Sequence, residues 1–166
     1  MASLEVPYLD SKMRHRIMKD TKEFIEKQEF KWWLTANFNR DTTKEQGFRK
    51  LREWHSRIDR ELHGRSFYKK KKDDRLFFIA CPEIGGYSGR LHYHIFAQMP
   101  ERSEEKFEII AEPTWCQLVK GGSLDVQEIG NTKVDQKKVI DYGLKEAWFD
   151  SNYERFIIST EFSSLH

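Results

Sequence analysis

The sequence predicts an α+β protein with a mostly antiparallel central sheet of about five strands and helices packed on it. Helical and strand patterns follow one another as helix, strand, helix, two hairpin strands, helix, strand, helix, strand. Such an order is typical of α+β folds. A short glycine-rich loop joins two of the strands, which only an antiparallel pair permits. The 166 residues are 38% hydrophobic and 14% aromatic, enough to build a core.

Composition limits the classes of function. The net charge is only +2, so nucleic-acid binding would have to come from local clusters of Lys and Arg. The two cysteines, Cys81 and Cys116, lack a C-x-x-C spacing, which favours a reducing compartment over a disulfide scaffold. No signal peptide or long apolar run is present, so we expect a cytoplasmic protein without membrane contact.

The length predicts one domain over residues 1–166, made of an N-terminal arm and helix (1–28) and a core (30–162). The basic helix is open to two interpretations, a docking helix that touches phosphates or a plain surface helix. His55 and His63 are assigned to a helix surface or cap. The first elements are an arm over 1–9, a helix over 11–28, a strand over 30–38, a helix over 43–62 and a basic loop over 65–72.

A hairpin follows, and it carries the most informative residues of the chain. Strands over 75–83 and 91–99 flank a loop over 85–89. Side chains alternate between the faces of a strand, so His92 and His94 point the same way. If residue 83 pairs with residue 92, then Glu83 and Cys81 share that face.

The rest of the chain is predicted to complete the sheet. Pro113 is expected to stop the third helix, because proline cannot continue the hydrogen-bond ladder. Residues 115–120, which are apolar, are either a continuation or a loop. Gly121-Gly122 separates that helix from the next strand. The predicted elements are a helix over 103–112, a strand over 123–129, a helix over 134–148 and a strand over 155–160.

Two imidazoles side by side on a strand suit a metal ion, although such a pair also occurs on ordinary solvated faces. Glu83 is the preferred third ligand, with Cys81 and Gln98 as weaker candidates. On the last helix Tyr142 and Lys145 are three residues apart and therefore neighbours on one face. Taken alone, Tyr142 would be read as an ordinary tyrosine of an amphipathic helix.

Together these motifs resemble the HUH endonucleases, in particular the single-tyrosine rolling-circle replication initiators of plasmids, single-stranded DNA phages and viruses. Leu91-His92-Tyr93-His94-Ile95 is similar to the family's His-hydrophobic-His motif, with an aromatic residue in the middle. Tyr142-Gly-Leu-Lys145 is similar to its nucleophile motif. The segment from Trp33 to Phe38 resembles its first, less specific motif. The resemblance covers roughly residues 30–148 and implies a ferredoxin-like or RRM-like HUH fold.

The resemblance implies sequence-specific nicking and rejoining of single-stranded DNA at a replication origin. Tyr142 would be the nucleophile that forms a 5′-phosphotyrosine link, and a free 3′-hydroxyl would prime replication. Lys145 would offset phosphate charge or help deprotonate and orient Tyr142. Glu83, His92 and His94 would hold a divalent metal, Mn²⁺ or Mg²⁺ in most of the family. Other transition metals also suit imidazole ligands in purified protein.

The expected partner is single-stranded or hairpin origin DNA. The sequence contains no G-x-x-x-x-G-K-S/T loop, so the motor would be a host or separate helicase, or a downstream domain that lies outside these 166 residues. A virus that replicates in a nucleated host would place the protein in the nucleus. Candidate DNA contacts, chosen for charge and proximity to the motifs, are Lys31, Arg40, Lys69, Lys70, Lys71, Lys72, Arg90 and Lys138.

Two other hypotheses remain. A single-tyrosine HUH transposase or relaxase would use the same chemistry, but the Tyr-x-x-Lys spacing favours an initiator. A non-catalytic nucleic-acid-binding module would carry the histidines as surface residues, and aromatic strands with basic loops would suit it.

Overall fold

The computed structural model of the protein describes residues 10–130, 132–145 and 156–165. It confirms the predicted fold class, with a five-stranded antiparallel sheet of order β4-β1-β3-β2-β5 and four α-helices packed on it. The elements are α1 (Ser11–Lys27), β1 (Trp32–Asn37), α2 (Lys44–His63), β2 (Phe77–Ile84), β3 (Leu91–Gln98), α3 (Glu104–Leu118), β4 (Ser123–Glu128), α4 (Lys133–Leu144) and β5 (Ile157–Ile158).

The central strands are buried on both faces, which explains their nearly continuous apolar sequences. Alternate side chains of β1 point to opposite faces: Leu34 packs with α2 and α3, whereas Trp33 packs with α4. On β3, Tyr93 and Ile95 face α2 and α3, and Phe96 faces α1 and α4. His92 and His94 have the parity of Phe96, so they lie on the face that carries α4.

The predicted helix over 43–62 is confirmed as α2, with its boundaries set by a capping box. The Thr43 hydroxyl accepts a hydrogen bond from the Gln46 amide at 3.2 Å, and the Gln46 side chain accepts one from the Thr43 amide at 3.0 Å. The apolar stripe of Leu51, Trp54 and Ile58 is fully buried against the sheet. The capping residues and the buried apolar stripe therefore both favour a helix over the same residues.

The predicted stop at Pro113 is wrong, because α3 continues through the proline to Leu118. An internal proline costs about 3 kcal/mol in a helix. Continuing the helix buries Trp115 and Leu118, each worth about 1.5–3 kcal/mol. It also lets the Trp115 indole donate a hydrogen bond to the Asn37 carbonyl at 3.1 Å. Packing on the sheet thus offsets the local preference.

The last predicted strand, over 155–160, is only partly present. β5 spans Ile157–Ile158, and a 3₁₀ segment follows from Ser159 to Leu165. The Ser159 hydroxyl accepts the Phe78 amide hydrogen at 3.0 Å, so a side chain takes the place of the next ladder bond. The predicted N-terminal arm (1–9), the end of the fourth helix (146–148) and Arg155 lie outside the described residues.

The assignment of His55 to a helix surface or cap is also wrong, and His63 lies at the end of the helix but with its side chain buried. His55 is buried between Phe78 and Phe162, and its Nε2–H donates to the Leu76 carbonyl at 2.9 Å. His63 ends α2 with only 3% of its side chain exposed. Both rings follow the apolar face of α2, where they complete a polar cluster around Asp59.

Among the described residues, no helix has the length and apolar character that a membrane-spanning helix needs.

Candidate metal centre and tyrosine

The strand register brings the predicted ligands together at one end of the sheet. Glu83 pairs with His92 and Cys81 with His94, which is the register under which Glu83 and Cys81 share the face of the histidines. On the other side of β3, Asn37 pairs with His92 and Thr35 with His94. The two histidines therefore lie in the middle of the sheet, between β2 and β1.

Glu83, His92 and His94 form a group that could hold a metal ion, and their potential ligand atoms all lie within 4.8 Å of one another. His94 Nε2 is 2.8 Å from Glu83 Oε2, and His92 Nε2 is 3.6 Å from Glu83 Oε1. The histidine rings are 5.0 Å apart and nearly perpendicular. The side chain of His92 is 18% exposed and that of Glu83 is 11% exposed, so the group opens to solvent.

Burial keeps His94 in the form that binds metals. Loss of hydration lowers the pKa of His94 below its ordinary value, and the nearby Glu83 carboxylate opposes this only in part. The ring is therefore neutral at neutral pH, as a ligand must be. Its other nitrogen, Nδ1, lies 3.4 Å from the Thr35 hydroxyl, which can act as donor or acceptor toward it.

Tyr142 and Lys145 extend from α4 over this group. The Tyr142 ring centroid is 5.5 Å from that of His94, and 54% of the tyrosine is exposed. Lys145 Nζ lies 4.3 Å from the Tyr142 ring centroid and 3.7 Å from Glu83 Oε1. The three motifs that were separate in sequence are therefore adjacent in space, with an accessible phenol beside two imidazoles, a carboxylate and an ammonium group.

A tryptophan forms the floor beneath the tyrosine. Trp33 stacks on His94 with ring centroids 4.9 Å apart at 13°, and its ring meets the Tyr142 ring edge-on at 6.1 Å. α4 can approach this closely because residue 143 is glycine: a Cβ there would lie 2.6 Å from the Trp33 ring and 2.8 Å from Phe96. Trp33 therefore contacts one proposed ligand and the proposed nucleophile together.

Sequence reasoning gave no role to Trp33, Thr35 or Gly143. The sequence feature that could have indicated Trp33 and Thr35 is strand alternation on β1. Residues 33 and 35 lie on the same face as the histidines once β1 is placed beside β3. That pairing joins strands that are distant in the chain, and the sequence pattern does not fix it. Gly143 lies inside the quoted tyrosine motif, but its contact with Trp33 depends on how α4 docks.

The two weaker ligand candidates do not join the group. Cys81 shares the face but is buried among apolar side chains, and burial raises the pKa of its thiol, which disfavours the thiolate that metals bind. Gln98 pairs with Phe77 at the opposite end of β3. Six residues separate it from His92, or about 20 Å along a strand.

Three of the predicted DNA contacts lie at the end of the sheet that carries the histidines. Arg40 follows the C-terminal end of β1, and Arg90 lies two residues before His92 in the hairpin. Lys138 is one turn before Tyr142 on α4. All three side chains are exposed.

The other five predicted contacts lie at the opposite end. Lys31 precedes β1, where it forms ion pairs with Glu104 and, at 3.7 Å, with Glu128. The hydrogen bond to Glu104 raises the pKa of Lys31 above its ordinary value. Lys69 to Lys72 lead toward the start of β2, and Lys72 Nζ lies 4.4 Å from the Phe77 ring centroid.

The basic helix α1 packs against α4 rather than standing apart. Ile25 is buried on this side of the sheet, and Lys22 Nζ lies 2.7 Å from Asp141 Oδ1. Asp141 directly precedes Tyr142. The helix therefore braces the element that presents the tyrosine, which neither interpretation of its sequence included.

Comparison with known proteins supports the fold alone. No protein-family model and no curated protein matches this chain. Among solved structures, the hypothetical protein ORF119 from Sulfolobus islandicus rod-shaped virus 1 is similar, with a TM-score of 0.51 and 16% sequence identity. The match covers 78% of this chain and 93% of the viral protein.

Proposed function

We propose that this protein is a metal-dependent endonuclease and strand transferase that nicks and rejoins single-stranded DNA at a replication origin, through a 5′-phosphotyrosine intermediate. The observation that carries the proposal is the position of Tyr142. Its exposed ring lies 5.5 Å from His94, directly beside the group formed by Glu83, His92 and His94. An accessible phenol next to a candidate metal site is the arrangement that phosphoryl transfer to tyrosine requires.

The donor set fits a divalent metal ion. His92 and His94 would supply imidazole nitrogens, and Glu83 would supply a carboxylate oxygen from the facing strand. These groups converge on one point and remain partly open to solvent, which leaves room for phosphate oxygens. When bound, a divalent ion such as Mn²⁺ or Mg²⁺ would supply Lewis-acid polarisation of the scissile phosphate.

The residues of the chain supply the remainder of the reaction. Tyr142 Oη attacks phosphorus, forming a bond between Oη and phosphorus as the bond from phosphorus to the 3′ oxygen breaks. The phenolic proton passes to water, and the leaving 3′ oxygen takes a proton from water. One phosphodiester replaces another, so the reverse attack by a 3′-hydroxyl rejoins the strand.

Lys145 lies where it can act on both the attacking tyrosine and the DNA phosphate. Its ammonium group lies over the Tyr142 ring and near Glu83 Oε1, at 4.3 Å and 3.7 Å. A positive charge there attracts the DNA phosphate and stabilises charge that develops on the tyrosine oxygen. The Trp33 ring, packed under Tyr142 and His94, limits the movement of the nucleophile relative to the ligands.

A denaturing gel with end-labelled single-stranded DNA tests the proposal. A pool of candidate origin strands is labelled at the 3′ end in one sample and at the 5′ end in another, and is incubated with Mn²⁺ or with EDTA. We expect the 3′ label to migrate with the protein only in Mn²⁺. The 5′-labelled fragment should be released with a 3′-hydroxyl that a polymerase can extend.

Two tyrosine variants make the test specific. Tyr142→Phe should abolish the protein–DNA adduct, whereas Tyr87→Phe, which alters a fully exposed tyrosine in the nearby hairpin loop, should leave it unchanged. Cleavage that survives Tyr142→Phe would contradict the covalent mechanism and assign the attack to water. DNA binding without metal-dependent cleavage, unchanged by His92→Ala, would instead favour a binding module.

A further inference from the structure

We propose that a basic cavity at the other end of the sheet is a binding site for a phosphate group. The cavity has a volume of about 280 Å³. Its polar lining includes His55, Lys70, Lys72, Arg75, Ser159 and Thr160. It lies beside Phe77, six residues along β2 from Glu83 and therefore about 20 Å from the candidate metal centre.

Charge is the first argument for an anionic ligand. Three cationic side chains line the cavity, and none of the described residues that line it is acidic. Neither Lys70 nor Lys72 forms an ion pair with a described residue. Arg75 is already paired with Asp59, so the repulsion concerns chiefly the Lys70 and Lys72 charges. A bound anion would remove that cost. The lining therefore selects a compact, multiply charged anion.

The second argument is that two of the cations are held in place from behind. Arg75 Nε donates to Asp59 Oδ2 at 2.8 Å, and the guanidinium lies 5.2 Å from the Phe67 ring centroid. Asp59 is fully buried, so the arginine has a fixed anchor. Lys72 Nζ lies 4.4 Å from the Phe77 ring centroid. Anchored cations lose less side-chain entropy when they bind a ligand.

Size and lining chemistry define the ligand class. Small-molecule sites commonly occupy about 300–1,000 Å³, so this cavity is at the lower limit and suits a phosphate group better than a large ligand. Arginine provides several fixed donors, which match phosphate oxygens, and lysine adds point charges. The phosphate could belong to a nucleic-acid strand or to a free nucleotide, and the proposal does not depend on the nicking chemistry.

The test measures binding without cleavage. Backbone amide shifts of the whole protein are recorded by NMR in EDTA during titration with inorganic phosphate, thymidine 5′-monophosphate and a short oligothymidine. We expect saturable shifts at the amides of Phe77 and Thr160. The double variant Lys70→Gln/Lys72→Gln should weaken the affinity about tenfold. The matched control, Lys12→Gln/Lys120→Gln, removes two exposed lysines elsewhere and should leave the affinity within about twofold.

The titrants distinguish the two sources of phosphate. A strand in the cavity predicts that oligothymidine binds more tightly than the monophosphate. The slope of log K against log salt for oligothymidine is negative, and its magnitude increases with the number of phosphates that the protein neutralises. In Lys70→Gln/Lys72→Gln this magnitude should be smaller by about 0.7 for each phosphate contact that is lost. If thymidine 5′-monophosphate binds as tightly as oligothymidine, the ligand of the cavity is a free nucleotide or phosphate and not a strand. Absence of saturable shifts near the cavity, or equal weakening by the control pair, would overturn the proposal.

Discussion

The cluster His55–Asp59–His63 on α2 and the group Glu83–His92–His94 on β2 and β3 contain the same kinds of side chain. The first is closed: Asp59 is fully buried and accepts hydrogen bonds from the Leu76 amide at 3.0 Å and from Arg75 Nε at 2.8 Å. His55 donates to the Leu76 carbonyl. Asp59 and His55 are therefore satisfied by the protein itself, whereas His63 Nε2 is buried 3.8 Å from Asp59 Oδ1 without a hydrogen bond to any described residue.

The second group is open. Glu83 and His92 keep part of their side chains in solvent, and Tyr142 and Lys145 lie beside them. The polar atoms here face one another and the exterior, not the backbone of a neighbouring segment. Two histidines and a carboxylate therefore do not by themselves define a functional site. Exposure and the identity of their partners separate a structural cluster from a candidate metal centre.

Removing Asp59 should produce the largest loss of stability. In Asp59→Ala the partly buried Arg75 and the buried Leu76 amide both lose this partner, and we expect the free energy of unfolding to fall by about 3–5 kcal/mol. Urea denaturation monitored by tryptophan fluorescence measures this. The matched control, Asp125→Ala, removes an exposed carboxylate and should change stability by no more than about 0.5 kcal/mol. Equal losses would mean that Asp59 is not a structural anchor.

Gly143 tests how closely α4 must pack on Trp33. Gly143→Ala places a methyl group 2.6 Å from the tryptophan ring, so we expect a loss of about 1–3 kcal/mol from overpacking. The displaced helix should also form the tyrosine adduct more slowly. Gly86→Ala is the control, because a Cβ at residue 86 meets nothing within 4 Å. Unchanged stability and adduct rate in Gly143→Ala would show that α4 does not need this close approach.

Thr35 tests a single hydrogen bond of the open group. Its hydroxyl is 3.4 Å from His94 Nδ1 and can accept a hydrogen bond from Nδ1–H when Nε2 binds a metal. We expect Thr35→Val to weaken Mn²⁺ binding about tenfold, because outer partners of a ligating histidine hold its orientation. Thr35→Ser, which keeps the hydroxyl, should restore most of the affinity. Reduced affinity in both variants would point to packing instead.

The smallest effect concerns pH and the closed cluster. Burial lowers the pKa of His55 below its ordinary value of about 6.5, so the unfolded chain binds more protons than the folded chain as the pH falls below about 6.5. Stability should then decline with falling pH, by at most about 1.4 kcal/mol per pH unit for this residue. Denaturation midpoints at several pH values should show a shallower decline in His55→Gln. An unchanged decline would exclude His55 as its source.

The sequence was sufficient to predict the features of the fold and of the site that depend on residues close together in the chain. Strand alternation placed His92 and His94 on one face. The pairing of Glu83 with His92 was one register that the hairpin allowed, and the structure has that register. Helical spacing placed Tyr142 beside Lys145. Composition and element order were enough for the α+β class and the antiparallel sheet.

What the sequence missed depends on packing between distant segments. Pro113 predicted a helix end, but burial of Trp115 and Leu118 carries α3 past it. His55 belongs to a polar cluster completed by Arg75 and Leu76, which no local pattern indicates. The packing of Trp33 on His94 and Tyr142 requires both the pairing of β1 with β3 and the docking of α4.

Isothermal titration of the apo protein with Mn²⁺ is the most direct test of the open group as a metal centre. We predict one site per chain, abolished in Glu83→Gln and in His92→Gln. The same site should be retained in His63→Gln, which alters the closed cluster. Thermal denaturation of each variant would show that it is folded. Absence of Mn²⁺ binding by the wild-type protein, or binding unaffected by the changes at Glu83 and His92, would contradict the assignment.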